Sequence, residues 1–349
     1  MPQATLVPTG QTFAVDPGEN VLAAALRAGL NLPHSCKGGH CASCRARILS
    51  GSFDYPGERP PGITDEEARA GYALLCQARA LTDLRIETRE VRPAPDVEVK
   101  SLPCRIERLE RLAEDVMSVV LRLPAVEDLH FRPGQYVDVM LSEGRRRSFS
   151  IASAPADGRH LELHVRRASK SGFTGQLFDT LREGTLLRVE GPLGQFWLRT
   201  ESPRPPLMIG GGTGYAPLRA MLRQLIAVDD RRPVTLYWGG QAPADLYEHA
   251  WLERLGRSRP GFSYRPVLSG PGPAAPGWTG RRGLVHAAVL EEHPDLSGHD
   301  VYASGPPAMI EAIRADFPRH GLPRDQLYFD SFDYAPDTLS KLQGAAAPR

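Results

Sequence analysis

Hydrophobic and polar positions follow three different patterns in successive stretches of the chain. In the first stretch, apolar residues at helical spacing after Asn20 predict a capped helix from Val21 to Leu26. Residues 64–67, Thr-Asp-Glu-Glu, predict a capping box at the start of a second helix, which ends near Gly71. Strands with period-two alternation are predicted at 5–7, 12–15 and 81–91. Together these elements indicate a small α+β domain.

The second stretch consists of short alternating strands separated by turn residues at nearly regular spacing, which predicts an antiparallel β-barrel. Its strands are predicted at 104–109, 116–123, 136–140, 147–151, 161–165 and 186–189, with one helix at 175–181.

In the third stretch, apolar strands alternate with amphipathic helices, which predicts an α/β domain with a doubly wound parallel sheet. The strands are predicted at 207–209, 234–238, 263–267 and 300–303, and the helices at 217–228, 246–255, 284–290 and 308–317. Proline-rich segments at 93–95 and 203–206 separate the three stretches. The predicted domains are therefore 1–95, 97–200 and 204–340, followed by a disordered tail at 341–349.

Composition narrows the function classes. A chain of 349 residues with a net charge of +1 has no electrostatic footprint for nucleic acid or an anionic membrane. No apolar run is long enough to span a bilayer, and the N-terminus has no secretory signal pattern. Five cysteines, four of them in ligand spacing, favour a reducing cytoplasm over a disulfide scaffold. The pattern leaves the oligomeric state open.

The cysteine spacing is the most specific chemical signal. Cys36, Cys41 and Cys44 form C-x4-C-x2-C, and Cys76 follows at a distance, which is the plant-type pattern for a [2Fe–2S] cluster. Gly38–Gly39 give the loop the backbone freedom to fold around a cluster. A structural zinc site is the alternative, although such a site usually contains a second close cysteine pair. The fifth cysteine, Cys104, is predicted to be an ordinary buried residue.

A glycine-rich segment at 210–217 joins an apolar strand to an amphipathic helix. Such a loop lets a pyrophosphate approach the backbone and lie on the helix N-terminus, where free N–H groups and the helix dipole favour anions. The predicted nucleotide contacts are Gly211, Gly212, Thr213 and Gly214.

The order of these three domains resembles the ferredoxin–NADP reductase superfamily, in the branch that carries an N-terminal ferredoxin (β-grasp) domain. That branch includes reductases of oxygenases and of 3,6-dideoxysugar synthesis, and the resemblance covers nearly the whole chain. It implies an NAD(P)H-dependent oxidoreductase that passes electrons from NADH through FAD and a [2Fe–2S] cluster. The implied acceptor is a partner enzyme, either an oxygenase or a deoxysugar dehydratase-type enzyme.

The resemblance also implies the FAD contacts. Arg147-Ser148-Phe149-Ser150 is similar to the family's Arg-x-Tyr-Ser flavin motif. Arg147 would then pair with the pyrophosphate, Phe149 would pack on the flavin, and Ser150 would form a hydrogen bond near N5. The implied FAD-binding set is Tyr136, Arg147, Ser148, Phe149, Ser150, His164, Arg166, Gly172 and Thr174.

For the nicotinamide, Ser304-Gly305-Pro306 resembles the start of the family's Cys-Gly-Pro-Pro-x-Met motif, with Ser304 in place of the cysteine. Phe332 would cover one flavin face until nicotinamide displaces it, or would be an ordinary core aromatic. The resemblance therefore gives Ser150, Ser304 and Phe332 as catalytic candidates and Gly305 and Pro306 as cofactor contacts.

The sequence also bears on the choice of dinucleotide. No Lys or Arg lies between Gly239 and Trp251, whereas Asp245 and Glu248 do, which favours NADH over NADPH.

The rival hypothesis is a non-enzymatic zinc-binding or regulatory protein on a degenerate reductase scaffold. It would require the four cysteines to hold zinc and the flavin segment to be empty. The serine at position 304 is the one feature that favours it.

Overall fold

The chain divides into two compact units, Met1–Glu98 and Val99–Arg349. The computed structural model describes residues 1–34, 38–39, 42–88, 92–93, 97–127, 129–142, 145–169, 172–270 and 278–332. The tail predicted to be disordered, 341–349, lies outside these residues. Across the described ranges, no helix has the length and apolar character needed to cross a membrane.

The first unit is an α+β domain. Its elements are β1 (Gln3–Val7), β2 (Thr12–Ala14), α1 (Val21–Arg27), β3 (Leu30–Asn31), β4 (Arg45–Ser50), β5 (Phe53–Asp54), α2 (Asp65–Arg69), β6 (Tyr72–Leu74), β7 (Arg79–Ala80), β8 (Leu84–Glu87) and β9 (Arg92–Pro93). A five-stranded sheet has the order β2-β1-β8-β4-β6, with β1 and β8 parallel and the other neighbours antiparallel. Buried residues of α1 share the core of this sheet.

Both predicted helix starts of the first unit are present. The side chain of Asn20 accepts a hydrogen bond from the Ala23 N–H at 2.8 Å. Thr64 and Glu67 form the reciprocal capping box, with hydrogen bonds of 3.1 and 3.0 Å. The predicted closing strand 81–91 is shorter in the structure, because Leu81 and Thr82 turn back to the carbonyl of Ser52.

The second unit begins with an antiparallel barrel. Its elements are β10 (Lys100–Ala113), β11 (Val116–Arg122), β12 (Tyr136–Met140), β13 (Arg146–Ser150), β14 (His160–Arg166), α3 (Gly172–Asp179) and β15 (Leu186–Leu193). The strand order is β13-β12-β15-β10-β11-β14. A bridge between Ile151 and Leu163 joins the two edges of this sheet and closes the barrel.

A parallel-sheet domain completes the second unit. Its elements are β16 (Pro206–Gly211), α4 (Tyr215–Ala227), β17 (Val234–Gly240), α5 (His249–Ser258), β18 (Phe262–Leu268), β19 (Arg281–Arg282), α6 (Val285–Glu292), β20 (Asp300–Gly305), α7 (Pro307–Asp316) and β21 (Leu327–Ser331). The order is β19-β18-β17-β16-β20-β21, and every neighbouring pair is parallel.

Helices cover both faces of this parallel sheet. Met208 packs in the core that contains residues of α4 and α5, whereas its neighbours Leu207 and Ile209 pack in the core that contains residues of α6 and α7. The predicted doubly wound sheet is therefore confirmed. The pattern predicted four of the six strands: the two edge strands, β19 and β21, were not predicted. In addition, α5 begins at His249 rather than 246. That helix starts late because Pro243–Asp245 first form a 3₁₀ turn.

A buried charge cluster joins the barrel to the parallel-sheet domain. Arg219 of α4 is 8% exposed. Its guanidinium donates to the Glu162 carboxylate on β14 at 2.8 Å and to the Ala152 carbonyl at 3.0 Å. The same guanidinium donates to Glu248, just before α5, at 2.9 Å. One cation therefore ties two barrel segments to two segments of the parallel-sheet domain.

Glu162 is the best-satisfied carboxylate of this cluster. It also accepts hydrogen bonds from the Ser118 hydroxyl at 2.9 Å and from His164 Nε2 at 3.3 Å. Burial alone would raise the pKa of Glu162, but the hydrogen bond from His164 and the charge of Arg219 outweigh it and hold the pKa far below its ordinary value. Glu162 is therefore ionised in the folded protein.

We expect Arg219→Met to destabilise the second unit strongly, because it leaves Glu162 and Glu248 as buried charges without their cation. Breaking a buried pair in this way costs about 3–5 kcal/mol. Urea unfolding followed by tryptophan fluorescence measures this loss, since all four tryptophans lie in the second unit. Arg231→Met, on a side chain that is 82% exposed, is the control and should change stability by less than about 0.5 kcal/mol. Equal effects of the two variants would contradict the role of Arg219.

The same cluster predicts a pH dependence. Because the folded-state pKa of Glu162 is depressed, its contribution is complete above the unfolded value of about 4.3 and is lost as the pH falls through the folded value. Glu162→Gln should therefore lose less stability than the wild type between pH 6 and pH 3. Parallel stability curves for the two proteins across this range would contradict the depressed pKa.

Candidate functional site

Two of the four predicted cluster ligands lie together in the first unit. The Cys76 N–H donates to the Cys44 sulfur at 3.4 Å, and the Leu75 N–H donates to the Cys44 carbonyl at 3.2 Å. Both thiols are buried. The other two predicted ligands, Cys36 and Cys41, lie outside the described residues. Buried sulfur atoms that receive backbone N–H groups suit the thiolate ligands of an iron–sulfur cluster.

The backbone around these cysteines is tightly packed. Gly39 has φ +84°, and a Cβ at this position would lie 2.9 Å from the Cβ of Pro60. The Gly39 carbonyl accepts a hydrogen bond from the Gly62 N–H at 2.9 Å. The loop therefore requires glycine here, both for its conformation and for its close approach to residues 60–62.

Cys104 has a different environment. It is buried in the barrel core, and burial raises the pKa of its thiol to about 12. A thiol that stays protonated behaves as a small apolar side chain.

The predicted flavin residues on the barrel lie on two paired strands. Tyr136 of β12 is opposite Ser150 of β13. The Tyr136 ring lies against Gly194, where a Cβ would be 2.8 Å from the ring. Phe149 is half-buried, and its ring centroid is 5.8 Å from that of Phe173 in α3. Phe149 is opposite Val137 and packs with Phe173 against the barrel core, so it lies on the other face of the paired strands from Tyr136.

Two polar side chains of β13, the strand that carries Phe149, are also predicted flavin contacts. The Arg147 side chain is partly exposed and donates to the Arg146 carbonyl at 2.8 Å, and the Ser148 hydroxyl donates to the Asp138 carboxylate at 2.6 Å. Gly172, with φ +83°, begins α3, and Thr174 lies in its first turn. A partly exposed guanidinium near a helix start would suit the phosphate of a bound cofactor.

His164 and Arg166, also predicted as flavin contacts, face the parallel-sheet domain. The Tyr247 hydroxyl lies 3.0 Å from His164 Nδ1, and Glu162 binds Nε2. Arg166 pairs with Asp115 at 3.1 Å and with Asp245 at 3.3 Å. A Cβ at Gly212 would lie 3.7 Å from the Arg166 guanidinium, so this cation lies beside the glycine-rich loop.

That loop is shaped by close backbone contact. Gly211 ends β16, and Gly212–Gly214 form a 3₁₀ turn directly before α4. A Cβ at Gly214 would lie 2.0 Å from the Ser304 carbonyl oxygen, and a Cβ at Gly211 would lie 2.8 Å from Pro306. Thr213 lies within the turn. Gly211, Gly212 and Thr213 are half-exposed, whereas Gly214 and the first turn of the 13-residue helix α4 are buried, so a phosphate would approach the backbone of residues 211–213.

The predicted nicotinamide residues lie next to this loop. Ser304 pairs in register with Gly210, at the carboxyl edge where the strand order reverses between β16 and β20. Its Oγ is buried and has no hydrogen-bond partner among the described residues. Phe332 donates its N–H to the Gly305 carbonyl at 2.9 Å. A buried hydroxyl without a protein partner, at a strand edge of this kind, fits a ligand that carries an amide.

Several residues of this region were not predicted as functional from the sequence. Trp238 stacks on Tyr215 at 4.0 Å and donates its indole N–H to the Gly212 carbonyl at 2.9 Å, so it supports the glycine-rich loop. Arg219, Glu162 and Glu248 form the buried charge cluster, and the Tyr247 hydroxyl contacts His164 beside it. The sequence held one signal of this cluster: Arg219 lies between Leu218 and Ala220, on the apolar side of a predicted helix.

The two carboxylates that bear on the binding of a 2′-phosphate have partners in the structure. Asp245 and Glu248 are not free carboxylates, because they pair with Arg166 and Arg219. At the same strand edge, Arg282 donates to the Gly270 carbonyl at 2.9 Å. These two carboxylates and the guanidinium groups of Arg166, Arg219 and Arg282 therefore already bind other groups of the protein.

Comparison with known proteins agrees with this architecture. Family models match residues 4–81 (2Fe-2S iron-sulfur cluster binding domain), 103–197 (oxidoreductase FAD-binding domain) and 208–315 (oxidoreductase NAD-binding domain). The CDP-6-deoxy-L-threo-D-glycero-4-hexulose-3-dehydrase reductase of Yersinia pestis is 37% identical over 330 residues, 94% of this chain and 97% of that protein. The reductase subunit of an aromatic O-demethylase from Amycolatopsis is 35% identical over 93% of this chain and 96% of its own.

Solved structures give the same result. The Amycolatopsis cytochrome P450 reductase GcoB superposes with a TM-score of 0.73 at 34% identity, over 95% of this chain and 99% of that one. The ferredoxin reductase of a carbazole 1,9a-dioxygenase gives a TM-score of 0.68 at 26% identity, over 95% and 98% of the two chains. The predicted cofactor set of [2Fe–2S], FAD and a nicotinamide dinucleotide is confirmed, and the zinc-binding alternative has no support. The chain therefore belongs to the ferredoxin–NADP reductase superfamily, in the branch whose members carry a plant-type [2Fe–2S] domain before their FAD and NAD domains.

Proposed function

We propose that this protein is the reductase component of a two-protein system: it oxidises NADH and delivers single electrons to a separate enzyme. The acceptor is either a dehydratase-type enzyme of deoxysugar synthesis or an oxygenase component. The observation that carries this proposal is the near-complete coverage, 94% of this chain and 97% of the relative, shared with a reductase named for a hexulose dehydrase. The oxygenase alternative rests on the 35% identity to an aromatic O-demethylase reductase subunit.

The residues divide the chemistry among three sites. When bound, the nicotinamide supplies a hydride, the flavin converts the electron pair into single electrons, and the cluster carries them onward. We assign the cluster to Cys36, Cys41, Cys44 and Cys76. The flavin is assigned to the region around Tyr136, Arg147–Ser150 and Thr174, with Ser150 near its reactive ring. His164 and Arg166 hold the side of this region that faces the glycine-rich loop.

The dinucleotide is assigned to the edge formed by Gly211–Gly214 and by Ser304–Pro306. The backbone N–H groups of the loop would hold the pyrophosphate, and the Ser304 hydroxyl would bind the carboxamide of the nicotinamide. Phe332, whose N–H donates to the Gly305 carbonyl, would pack against the flavin. We keep 1–95, 97–200 and 204–340 as the domain boundaries, and we infer a cytoplasmic location from the need to keep four ligand cysteines reduced.

We propose NADH as the donor, because the cations at this strand edge already have acceptors within the protein. Arg166 and Arg219 bind carboxylates, and Arg282 binds a backbone carbonyl. A 2′-phosphate would have to compete for one of them.

The visible spectrum of anaerobically purified protein tests the electron path. Mixing with NADH should bleach both the flavin band and the broad cluster absorption. NADPH should be less efficient by about tenfold to 100-fold in kcat/KM, the value of one charge-assisted hydrogen bond. A colourless protein containing zinc would refute the proposed function, whereas equal rates with NADPH would refute only the choice of donor.

Cys44→Ala separates the two halves of the electron path. This variant should lose the cluster signal and the ability to reduce cytochrome c or the partner enzyme. It should keep NADH oxidation with ferricyanide, which takes electrons from the flavin directly. Cys104→Ala is the matched control, and it should keep the cluster because its thiol lies in the barrel core. Retention of the cluster in Cys44→Ala would remove Cys44 from the ligand set.

Ser304→Ala tests the nicotinamide assignment. Because the Ser304 hydroxyl bonds no described protein group, its loss should leave the urea midpoint nearly unchanged. The KM for NADH should rise about fivefold, the value of one net hydrogen bond of about 1 kcal/mol. Ser258→Ala, on the exposed end of α5, is the control. An unchanged KM in Ser304→Ala would show that this hydroxyl does not contact the dinucleotide.

A further inference from the structure

The side chain of Gln77 lies beside one of the two described cluster ligands. Its Nε2 is 3.8 Å from the sulfur of Cys76, within hydrogen-bond distance for a sulfur acceptor. The neighbouring ligand, Cys44, receives the backbone N–H of Cys76 at 3.4 Å. Each of these two sulfur atoms therefore receives at least one N–H group, and at Cys76 one such group belongs to a replaceable side chain.

The backbone on both sides of Gln77 is held in place. The N–H groups of Gln77 and Ala78 both donate to the Leu74 carbonyl at 2.9 Å, which makes a tight turn around Cys76. The N–H groups of Val21 and Leu22, at the start of α1, donate to the carbonyls of Ala78 and Leu75 at 2.9 Å. This anchoring fixes the direction in which the Gln77 side chain leaves the turn.

The side chain itself packs against the cluster loop. Gly39 lies between the predicted ligands Cys36 and Cys41, and a Cβ there would be 3.0 Å from Gln77 Cγ. Gln77 is half-buried in this position. The amide must point its nitrogen at the sulfur, since a carbonyl oxygen there would place its lone pairs against a thiolate. Packing therefore places the side chain, and the chemistry of the sulfur acceptor selects the orientation of its amide.

A donor at this point affects the two redox states unequally. Reduction adds one negative charge, which is shared with the ligand sulfur atoms. A hydrogen bond to sulfur stabilises the more negative state more, so it raises the reduction potential. The nitrogen keeps both of its protons throughout: the cluster gains one electron from the reductant, and no covalent bond forms or breaks.

We propose that Gln77 tunes the potential of the cluster through this hydrogen bond to Cys76. Its amide thereby sets the balance between easy acceptance of an electron from the flavin and easy donation to the partner. This inference rests on the proposed function, because it requires the cluster. Gln77 acts through Cys76 and is a positioning residue, not a catalytic one.

The test is a redox titration of the full-length, cofactor-loaded protein, with the reduced cluster followed by electron paramagnetic resonance. Gln77→Leu removes the donor, Gln77→Glu replaces it with a carboxylate, and Gln77→Lys keeps an N–H donor. Gln3→Leu and Gln3→Glu make the same changes on an exposed residue of β1 and are the matched controls.

We expect the equilibrium constant for cluster reduction to fall about tenfold in Gln77→Leu, a shift of about 59 mV for one electron. The reduction potential of Gln77→Glu should be lower still, and that of Gln77→Lys should equal or exceed the wild-type potential. The two Gln3 variants should keep the wild-type potential. Altered g-values in Gln77→Leu would accompany the change at Cys76.

A potential in Gln77→Leu equal to that of the wild type, with the cluster present, would overturn the proposal. If Gln77→Leu loses its cluster, the reduction potential of Gln77→Glu is compared with that of Gln3→Glu instead. Equal potentials of these two variants would overturn the proposal. Loss of the cluster from all three Gln77 variants would overturn tuning in favour of a structural role. Absence of the cluster signal from the wild type would instead refute the proposed function itself.

Discussion

The second unit depends on one buried guanidinium. Arg219 neutralises Glu162 from the barrel and Glu248 from the parallel-sheet domain, and neither carboxylate is bound by another arginine or lysine among the described residues. A buried carboxylate without a cation is expensive, so any displacement of one domain against the other would break at least one of these pairs. The relative position of the barrel and the glycine-rich loop is therefore fixed by electrostatics as well as by packing. Hydride transfer between two bound cofactors requires that kind of fixed geometry.

A second constraint is the lack of space at the edge where the strand order reverses. Gly214 approaches the Ser304 carbonyl so closely that a Cβ there would be 2.0 Å away, and Gly211 is similarly close to Pro306. Glycine is needed at these positions because two backbone segments must nearly touch. The result is a closely packed glycine backbone on one side and a buried hydroxyl on the other. Replacement of the family's cysteine by Ser304 keeps a small polar group in this space and removes a polarizable sulfur.

The sequence predicted the parts of this protein that depend on short-range patterns. Helix starts at Asn20 and Thr64, the order of strands and helices after residue 204, and the domain class of each stretch are all present. It did not predict β19 or β21, because Arg281–Arg282 and Leu327–Ser331 are short edge strands without clear alternation. It also missed the Arg219 cluster, whose members lie far apart in sequence and meet through folding alone. The ion pairs of Asp245 and Glu248 were missed for the same reason, since their arginine partners come from distant elements.

The two units stabilise negative charge of two different kinds, one permanent and one transient. At Arg219 the negative charges are permanent, so a permanent cation stabilises them. Around Cys44 and Cys76 the extra negative charge must arrive and leave with each electron. A full positive charge in contact with those sulfur atoms would stabilise the reduced state strongly and slow its oxidation by a partner. Amide dipoles are weaker and uncharged, as in the Cys76 N–H and the Gln77 side chain. They lower the cost of the added electron without trapping it, which is what a cluster that relays electrons needs.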